Sequence, residues 1–437
     1  MTTRTLHSGE PVTAPSHPPF KPGRRRVGPL RLLWAGQTVS LLGDQMTMLA
    51  LPLAALAVGA SPAQVAVLVG ATHAPFLLFG LPAGVWVARF GLRRSMLFAD
   101  VVRACALISV PIAAWVGTVT YVQLLLAAGA MGCGSVIFLV AYQSLTPLLV
   151  DDPGSLRSAN KRLTASEALA LVGGPALAGL LIGAVGAMRT LAIDAMSYLV
   201  SVGTLAALDA PTDGPRKPLP GTKLRTEVRA GLRYVQRSPE LRAVMWSSVV
   251  FNFGMAGYEA LLVVFAVSHL GLSPAVLGLA VGIGGAGVPI GLLLSGPVER
   301  RTGTGGVLII SGALSAAGLL IAASAGGEFS AVTIAAGTFV TAVGGGAWGL
   351  TALTTRQILS RPDMRSMTTA VHRWATYGVM PLGALGGGLC ASLLGPRPAI
   401  LLVATLAQFT VLPLLRSPLR TLRTLTSSDL AGSRDAA

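Results

Sequence analysis

The sequence predicts an all-α membrane protein of about twelve transmembrane helices, arranged as two halves of six. Three observations support this fold class: the composition, a series of long apolar segments, and a pattern that recurs half a chain apart. Of the 437 residues, 52% are hydrophobic and 11% are charged, and the mean hydropathy is +0.69. Soluble domains carry about 25% charged residues, so this composition excludes an ordinary soluble protein.

Apolar segments long enough to cross a bilayer follow one another from residue 31 to residue 415. About 20 helical residues span the hydrocarbon core. The predicted spans are 31–58, 63–88, 95–117, 120–148, 163–186, 189–208, 241–269, 273–297, 305–325, 329–355, 367–393 and 396–415. Residues 1–30 lack the apolar stretch of a signal peptide, so we expect a disordered cytoplasmic tail there and a second tail at 416–437.

Basic residues fall in alternate loops between these spans. The loops on one side hold the basic residues of segments 21–26, 89–94, 157–162, 216–237, 300–301, 356–365 and 416–423, whereas the other side holds Arg189 and Arg397. Cytoplasmic loops are enriched in Lys and Arg, so we expect a multi-pass protein of the cell membrane with both termini in the cytoplasm. The same asymmetry explains the net charge of +16 without a nucleic-acid partner.

A pattern in the stretch AGVWVARFGLRR, residues 83–94, recurs in SGPVERRTGTGG, residues 295–306. Gly84, Arg89 and Gly91 match three residues 212 positions later, which are Gly296, Arg301 and Gly303. The fifth and eleventh spans share a Pro and Gly pattern around Pro175 and Pro381. A 6+6 repeat is typical of secondary transporters, whose two halves rock about a midplane site.

The longest break between spans, residues 209–240, separates half 31–208 from half 241–415. Its first part is rich in Pro and Gly. Its second part predicts a helix with arginines four residues apart beside an apolar stripe. Two alternatives stay open: the helix lies on an anionic inner leaflet, or it is a solvated connector.

On these residues the chain resembles the major facilitator superfamily. Residues 83–94 are similar to its signature loop between the second and third spans, with Gly84, Arg89, Gly91 and Arg93 matching. Ala88 stands where the family has an acid. The resemblance implies that Arg89, Arg93 and Arg94 contact the other half when the cytoplasmic gate is shut, with Asp363 as a substitute acidic partner.

Further segments resemble the efflux branch that includes enterobactin-exporter-like proteins. They include LWAGQTVSLLGDQ at 33–45, GPALAGLL at 174–181, IDAMSYLVS at 193–201 and MPLGALGGG at 380–388. The likeness covers residues 30 to 420 and implies export of drugs, antibiotics or siderophores. The fourth span lacks the arginine that many drug antiporters keep, so proton coupling through such a residue is not expected.

Ionisable side chains inside a span are costly, so each is a candidate functional residue. Asp44 in the first span and Glu259 in the seventh lie on corresponding helices of the two halves, and Glu167 in the fifth is a third acid. We predict that the proton-coupling site is among them; the alternative is that each acid bonds a polar neighbour. Asp100 and Arg103, three residues apart, are expected to neutralise each other on one helix face.

Polar and aromatic residues on the same set of spans are candidates for holding the substrate; the alternative is packing between helices. They are Gln37, Tyr142, Gln143, Asn252, Tyr258, Trp348, His372 and Arg373. For Arg373 the resemblance favours a structural role.

The sequence therefore predicts a secondary active transporter, a proton-coupled exporter of small hydrophobic or amphiphilic compounds. An importer or facilitator with the same fold is the first alternative, and a non-transporting sensor or intramembrane enzyme is the second. The expected partners are a small-molecule substrate, protons and the lipid bilayer. We expect a monomer that has no catalytic residues, no cofactor and no metal.

Overall fold

The computed structural model describes residues 28–145, 149, 153–208, 224–361 and 364–422, and these form helices and turns without a strand. Residues 1–27, 209–223 and 423–437 of the predicted tails and linker lie outside these ranges. Residues 416–422 are described: they form the 3-10 turn Pro418–Thr421 with Leu419 buried, so this part of the predicted tail is ordered because it packs on the second half. The first half contains α1 Pro29–Ala57, α2 Pro62–Phe79, α3 Ala83–Phe90, α4 Leu92–Val116, α5 Tyr121–Leu145, α6 Pro153–Val185 and α7 Ala187–Ala206. After α8 Leu224–Arg237, the second half contains α9 Pro239–Val263 with a π-helical extension Val264–His269, α10 Pro274–Gly285, α11 Gly287–Ala323, α12 Ser330–Leu359, α13 Arg365–Gly378, α14 Met380–Leu394, α15 Pro396–Ala407 and α16 Leu412–Leu415.

Ten helical stretches among the described residues are long and apolar enough to cross a membrane. The sequence predicts twelve spans, and two features of the structure account for the difference. Predicted spans 273–297 and 305–325 form one run, Pro274–Ala323, which is broken at Gly303. The sixth predicted span is α7, whose Arg189 and Asp194 lower its hydropathy. The all-helical membrane fold is confirmed, while the number twelve stays a prediction.

Glycines at matching turns show the repeat of the two halves. The positive-φ residues among those described are all glycines, and they form the pairs Gly59 and Gly271, Gly91 and Gly303, Gly117 and Gly327, and Gly186 and Gly395. Glycine adopts this backbone conformation without a steric cost. The members of each pair are separated by 209 to 212 residues, so the backbone repeats the spacing of the sequence motif.

The two halves meet along two seams. In one, α2 packs on α14, and a Cβ on Gly388 would lie 2.4 Å from the Cβ of Ala66. In the other, α6 packs on α10, and a Cβ on Gly278 would lie 2.3 Å from the carbonyl oxygen of Pro175. Small residues allow membrane helices to approach this closely. We call the end of the bundle with the turns at Gly59 and Gly271 the closed end, and the end with the turns at Gly91 and Gly303 the open end.

The predicted linker helix is present as α8, and it is docked on the second half. Val235 is buried in a cluster with Val371 of α13, and Gly231 faces Met367 of the same helix. The hydroxyl of Tyr234 accepts a hydrogen bond of 3.0 Å from the backbone N–H of Arg361, in the loop before α13. Part of the apolar stripe is therefore used for packing on α13, which neither alternative predicted.

Candidate functional site

A cluster of ionisable side chains lies buried in the first half, where α1, α4 and α7 meet. On α4, Asp100 and Arg103 are 0% and 3% exposed and form the predicted ion pair, which is confirmed. Nη1 of Arg103 also lies 3.9 Å from Oδ1 of Asp44 on α1. The hydroxyl of Tyr198, on α7, donates a hydrogen bond to the same Asp44 oxygen. Three helices are thus joined through one carboxylate.

The guanidinium of Arg103 is held between two aromatic rings. Its Cζ lies 4.6 Å from the centre of the Phe138 ring and 4.4 Å from that of Tyr198. A ring face attracts a cation, and a planar guanidinium also stacks on it. Arg103 is therefore fixed by packing as well as by charge.

Asp194 on α7 brings a third carboxylate to this cluster. Thr47 donates a hydrogen bond to one of its oxygens and Ser197 to the other, the latter at 2.9 Å. The charges of Asp44 and Arg103 both act on Asp194. Among its described residues the cluster thus holds three carboxylates and one guanidinium, which pairs with Asp100 and approaches Asp44. Since buried charges are normally paired, a proton held on one carboxylate would reduce the imbalance.

Asp44 connects this cluster with a cavity between the halves. Its side chain is 36% exposed, unlike those of Asp100 and Asp194. The cavity has a volume of about 370 Å³ and is lined by Asp44, Gln45, Glu167 and apolar residues of α1, α6 and α11. Two of the three predicted acids therefore face one space, and Asp44 is the member of the cluster that solvent reaches.

A larger cavity of about 920 Å³ lies between the halves toward the open end. Helices α2, α3 and α5 line it from the first half, and α12 and α13 from the second. Arg373 on α13 bridges the halves by donating a hydrogen bond to the side-chain oxygen of Gln143 on α5. Phe76 and Tyr377 stack across the same boundary, with ring centroids 5.1 Å apart. Cavities of this size hold drug-sized molecules, and both predicted residues Gln143 and Arg373 line this one.

The third predicted acid, Glu259, lies half-buried on α9 and lines neither cavity. Among the described residues it forms no hydrogen bond and no ion pair. At the 212-residue spacing of the repeat, its counterpart in the first half is Thr47, one turn beyond Asp44. The structure therefore brings Asp44 together with Glu167 and leaves Glu259 apart.

Several predicted substrate contacts lie outside both cavities because their helices turn them into the protein interior. Asn252 donates a hydrogen bond of 2.8 Å to the carbonyl of Ser248 on its own helix. Tyr258 is 3% exposed, and Trp348 packs in an apolar cluster of the second half. Packing against apolar side chains of neighbouring helices accounts for the positions of Tyr258 and Trp348.

Three further candidates lie in the helix interfaces. Tyr142 stacks on Phe138 with centroids 6.0 Å apart. Gln37 and His372 are 9% and 8% exposed. His372 is the neighbour of Arg373 in the chain, but its side chain points away from the lining of the larger cavity. A lone sequence does not reveal which face of a wholly apolar helix is turned inward.

The basic turn at residues 89–94 is held by its own half in this conformation. Arg93 donates hydrogen bonds of 2.7 Å to the carbonyl of Leu205 and 2.6 Å to that of Ala206, at the end of α7. Arg89 and Arg94 form no hydrogen bond or ion pair with the rest of the described chain. Asp363, the predicted partner, lies outside the described residues. Contact of this turn with the other half stays a prediction for a conformation closed at this end.

Asp100, Arg103, Asp194 and Tyr198 are the residues whose link to Asp44 sequence reasoning missed. The available signal was the position of charged residues within the third and sixth spans. Asp100 and Arg103 were expected to pair with each other, and no contact with Asp44 was predicted for Asp194 or Tyr198, because a single sequence does not show that α7 packs on both α1 and α4.

Comparisons with known proteins agree with this architecture. A family model described as "Transmembrane secretion effector" matches residues 18–434. The uncharacterized MFS-type transporter YfiS of Bacillus subtilis (strain 168) is 27% identical over 88% of this chain and 92% of its own length. The multidrug efflux pump Tap of Mycobacterium tuberculosis (strain ATCC 25618 / H37Rv) is 30% identical over 50% of this chain and 53% of its own length, so that match spans about half of each protein.

Solved structures share the fold at low identity. The nucleoside transporter NupG matches with a TM-score of 0.69 and 11% identity, covering 89% of this chain and 98% of its own. A bacterial homologue of the iron transporter ferroportin, in an inward-facing state, matches with a TM-score of 0.68 and 17% identity over the same shares. The family and these structures are membrane transporters and not enzymes. The chain therefore belongs to the transmembrane secretion effector family of major facilitator superfamily transporters.

Proposed function

We propose that this chain is a proton-coupled exporter of small hydrophobic or amphiphilic compounds that works by alternating access in the cell membrane. The observation that carries the proposal is the position of Asp44. Its carboxylate faces a cavity between the halves and is also joined to a buried cluster with more carboxylates than cations.

This arrangement suits proton exchange. In an antiporter the proton and the substrate compete, so a carboxylate must lose its proton in one access state and regain it in the other. Asp44 exchanges protons with the cavity, while Tyr198 and Arg103 hold its carboxylate in place. Asp194 and Asp100 keep the local charge unbalanced, which favours uptake of a proton when the cavity is empty.

Three observations favour export as the direction of transport. The family model is described as a secretion effector, and relatives include the efflux pump Tap and a macrolide efflux protein of Streptococcus pyogenes. The predicted orientation places the open end, with its basic turns, in the cytoplasm. A cavity open on that side accepts substrate from inside the cell. Import of a small metabolite is the alternative that the same fold allows.

Transport into everted membrane vesicles tests this function. The probes are ethidium as a cation, Nile red as a neutral compound and 1-anilinonaphthalene-8-sulfonate as an anion. Vesicles that contain the protein and are energised to an acidic interior should accumulate at least one probe, and a protonophore should release it.

Vesicles without the protein and vesicles with Asp44→Asn are the controls, and neither should accumulate the probe. Accumulation only in right-side-out vesicles would replace export by import. Accumulation that survives the protonophore would remove proton coupling from the proposal.

A further inference from the structure

The two cavities between the halves carry opposite charge. The charged residues of the smaller cavity are the acids Asp44 and Glu167. Of the described residues that line the larger cavity, the charged ones are Arg365 and Arg373, and none is an acid. The proposed proton site and the larger cavity therefore differ in the kind of group they attract.

A further arginine behind the wall of the larger cavity increases this positive charge. Arg356 lies on α12, next to the lining residue Gln357, and its charge and that of Arg373 repel each other. Its Nε and Nη1 atoms are buried and have no hydrogen-bond partner among the described residues. Buried N–H donors without an acceptor are costly, and a guanidinium more so than a neutral donor.

The guanidinium groups of Arg356, Arg365 and Arg373 have few hydrogen-bond acceptors in the described structure. Arg373 donates one hydrogen bond to the neutral side chain of Gln143, and Arg365 donates one of 3.3 Å to the carbonyl of Ser360. Glu167 attracts Arg373 from the neighbouring cavity, but the two side chains form no ion pair within 4.0 Å. Among the described residues around this cavity, one acid thus stands against three guanidinium groups.

The same wall offers a surface for an apolar body. Trp374 and Tyr377 line the cavity beside Arg373, and Phe76 stacks on Tyr377 from the other half. The indole N–H of Trp374 donates a hydrogen bond of 3.1 Å to the carbonyl of Leu77, which holds the indole ring in place. Fixed aromatic rings next to a guanidinium suit a ligand with one anionic group and an aromatic or apolar body.

We propose that the larger cavity selects amphiphilic compounds with an anionic group, a carboxylate, sulfonate or phosphate. Arg373 binds this group, Arg356 attracts it from behind the cavity wall, and the aromatic wall holds the apolar part. Binding of the anion supplies an acceptor to Arg373 and offsets the repulsion between the charges of Arg373 and Arg356. This inference names the substrate class of the function proposed above and rests on it, but its test measures binding alone and needs neither a proton gradient nor a direction of transport.

Three probes with one ring system and different charge test the proposal. They are 1-naphthoate, which is anionic, 1-naphthalenemethanol, which is neutral, and 1-naphthylmethylammonium, which is cationic. Their binding to the purified full-length protein in detergent is measured by titration calorimetry and by the shift in melting temperature, with protein-free micelles as the blank. We expect 1-naphthoate to bind at least about tenfold more tightly than either of the others, since a charge-assisted hydrogen bond contributes roughly that factor.

Variants of the protein show which residues cause the preference for the anionic probe. Arg373→Gln should reduce the preference for 1-naphthoate at least about tenfold. Arg356→Gln should reduce it by a smaller factor, since Arg356 acts through its charge alone, and Arg373→Lys should keep part of it because the charge remains. Arg397→Gln is the matched control, because Arg397 lies at the closed end, far from the cavity, and should bind as wild type does. Arg356→Gln should also melt at the same temperature as wild type or higher without ligand, since it removes a repelling buried charge.

Equal binding of the three probes, or tighter binding of the cation, would overturn the proposal while leaving proton-coupled export intact. Selective binding of 1-naphthoate that is unchanged in both glutamine variants would also overturn it. Selective, arginine-dependent binding without accumulation in the vesicle assay would instead keep the cavity assignment and reject the transport mechanism.

Discussion

At the scale of single residues, Arg103 determines how the buried charges of the first half coexist. It pairs with Asp100, approaches Asp44 and is packed between two rings. A sequence pattern of Asp and Arg three residues apart predicted the first contact and none of the others. The reason is physical: spacing within one helix determines neighbours on that helix, whereas contacts between helices depend on which faces pack.

We predict that Arg103→Gln strongly destabilises the protein, by about 3–5 kcal/mol, because it leaves buried carboxylates without their cation. Arg103→Lys should fall between this variant and wild type, since it keeps the charge and loses the flat face. The measurement is the melting temperature in detergent. Arg94→Gln, an exposed arginine of the same helix, is the control, and an Arg103→Gln protein as stable as that control would contradict the role given to the cluster.

At the scale of elements, the basic turn between α3 and α4 is positioned by α7. The hydrogen bonds from Arg93 to Leu205 and Ala206 cap carbonyl groups at the end of α7, where the Leu205 carbonyl also accepts from the backbone N–H of Leu208. The sequence motif includes the glycine of this turn, and Gly91 has a positive φ of 86°, which glycine adopts without steric cost. It did not predict that one arginine of the motif binds its own half.

Arg89 and Arg93 should therefore differ when each is replaced by alanine. Arg93→Ala should lower the free energy of unfolding by about 1 kcal/mol through the loss of charge-assisted hydrogen bonds. Arg89→Ala should leave the melting temperature unchanged and reduce transport, if Arg89 contacts the other half in the state closed at this end. Equal melting temperatures and equal transport for the two variants would contradict this division of roles.

The seam between α6 and α10 gives a second prediction for an element. In Gly278→Ala the new Cβ would lie 2.3 Å from the carbonyl oxygen of Pro175, so the helices must move apart. We expect weaker closure at this end and slower transport in the vesicle assay. Gly203→Ala is the matched control, because nothing lies within 4 Å of its added Cβ. Wild-type transport by Gly278→Ala would show that the seam tolerates separation.

At the scale of the whole molecule, hydropathy and the repeated motif predicted the architecture well, because both depend on the bilayer and on glycine turns that a sequence displays directly. The division of the candidate site was not predictable in the same way. Asp44 and Glu167 share a cavity while Glu259 does not, and Arg373 faces a cavity while His372 beside it is buried. These differences depend on the rotation of each helix about its axis.

Orientation in the membrane is a prediction about the whole molecule. From the distribution of arginine we predict that both termini and the 209–240 linker lie in the cytoplasm. Fusions of a cytoplasmic reporter at Ala437 and Gly221 should be active, and fusions of a periplasmic reporter at the same sites should be inactive. An active periplasmic fusion at either site would reverse the proposed direction of the open end.

The central claim, that substrate binding is coupled to loss of a proton from the acid cluster around Asp44, is tested most directly by proton release from the purified protein. The probe that binds best among the naphthalene compounds is added to a weakly buffered solution, and the released protons are counted with a pH indicator. Wild type should release protons on binding, Asp44→Asn should bind without release, and Glu259→Gln should behave as wild type does. Release from Asp44→Asn equal to that of wild type would contradict the claim and move the coupling site elsewhere, with Glu167 as the next acid to replace.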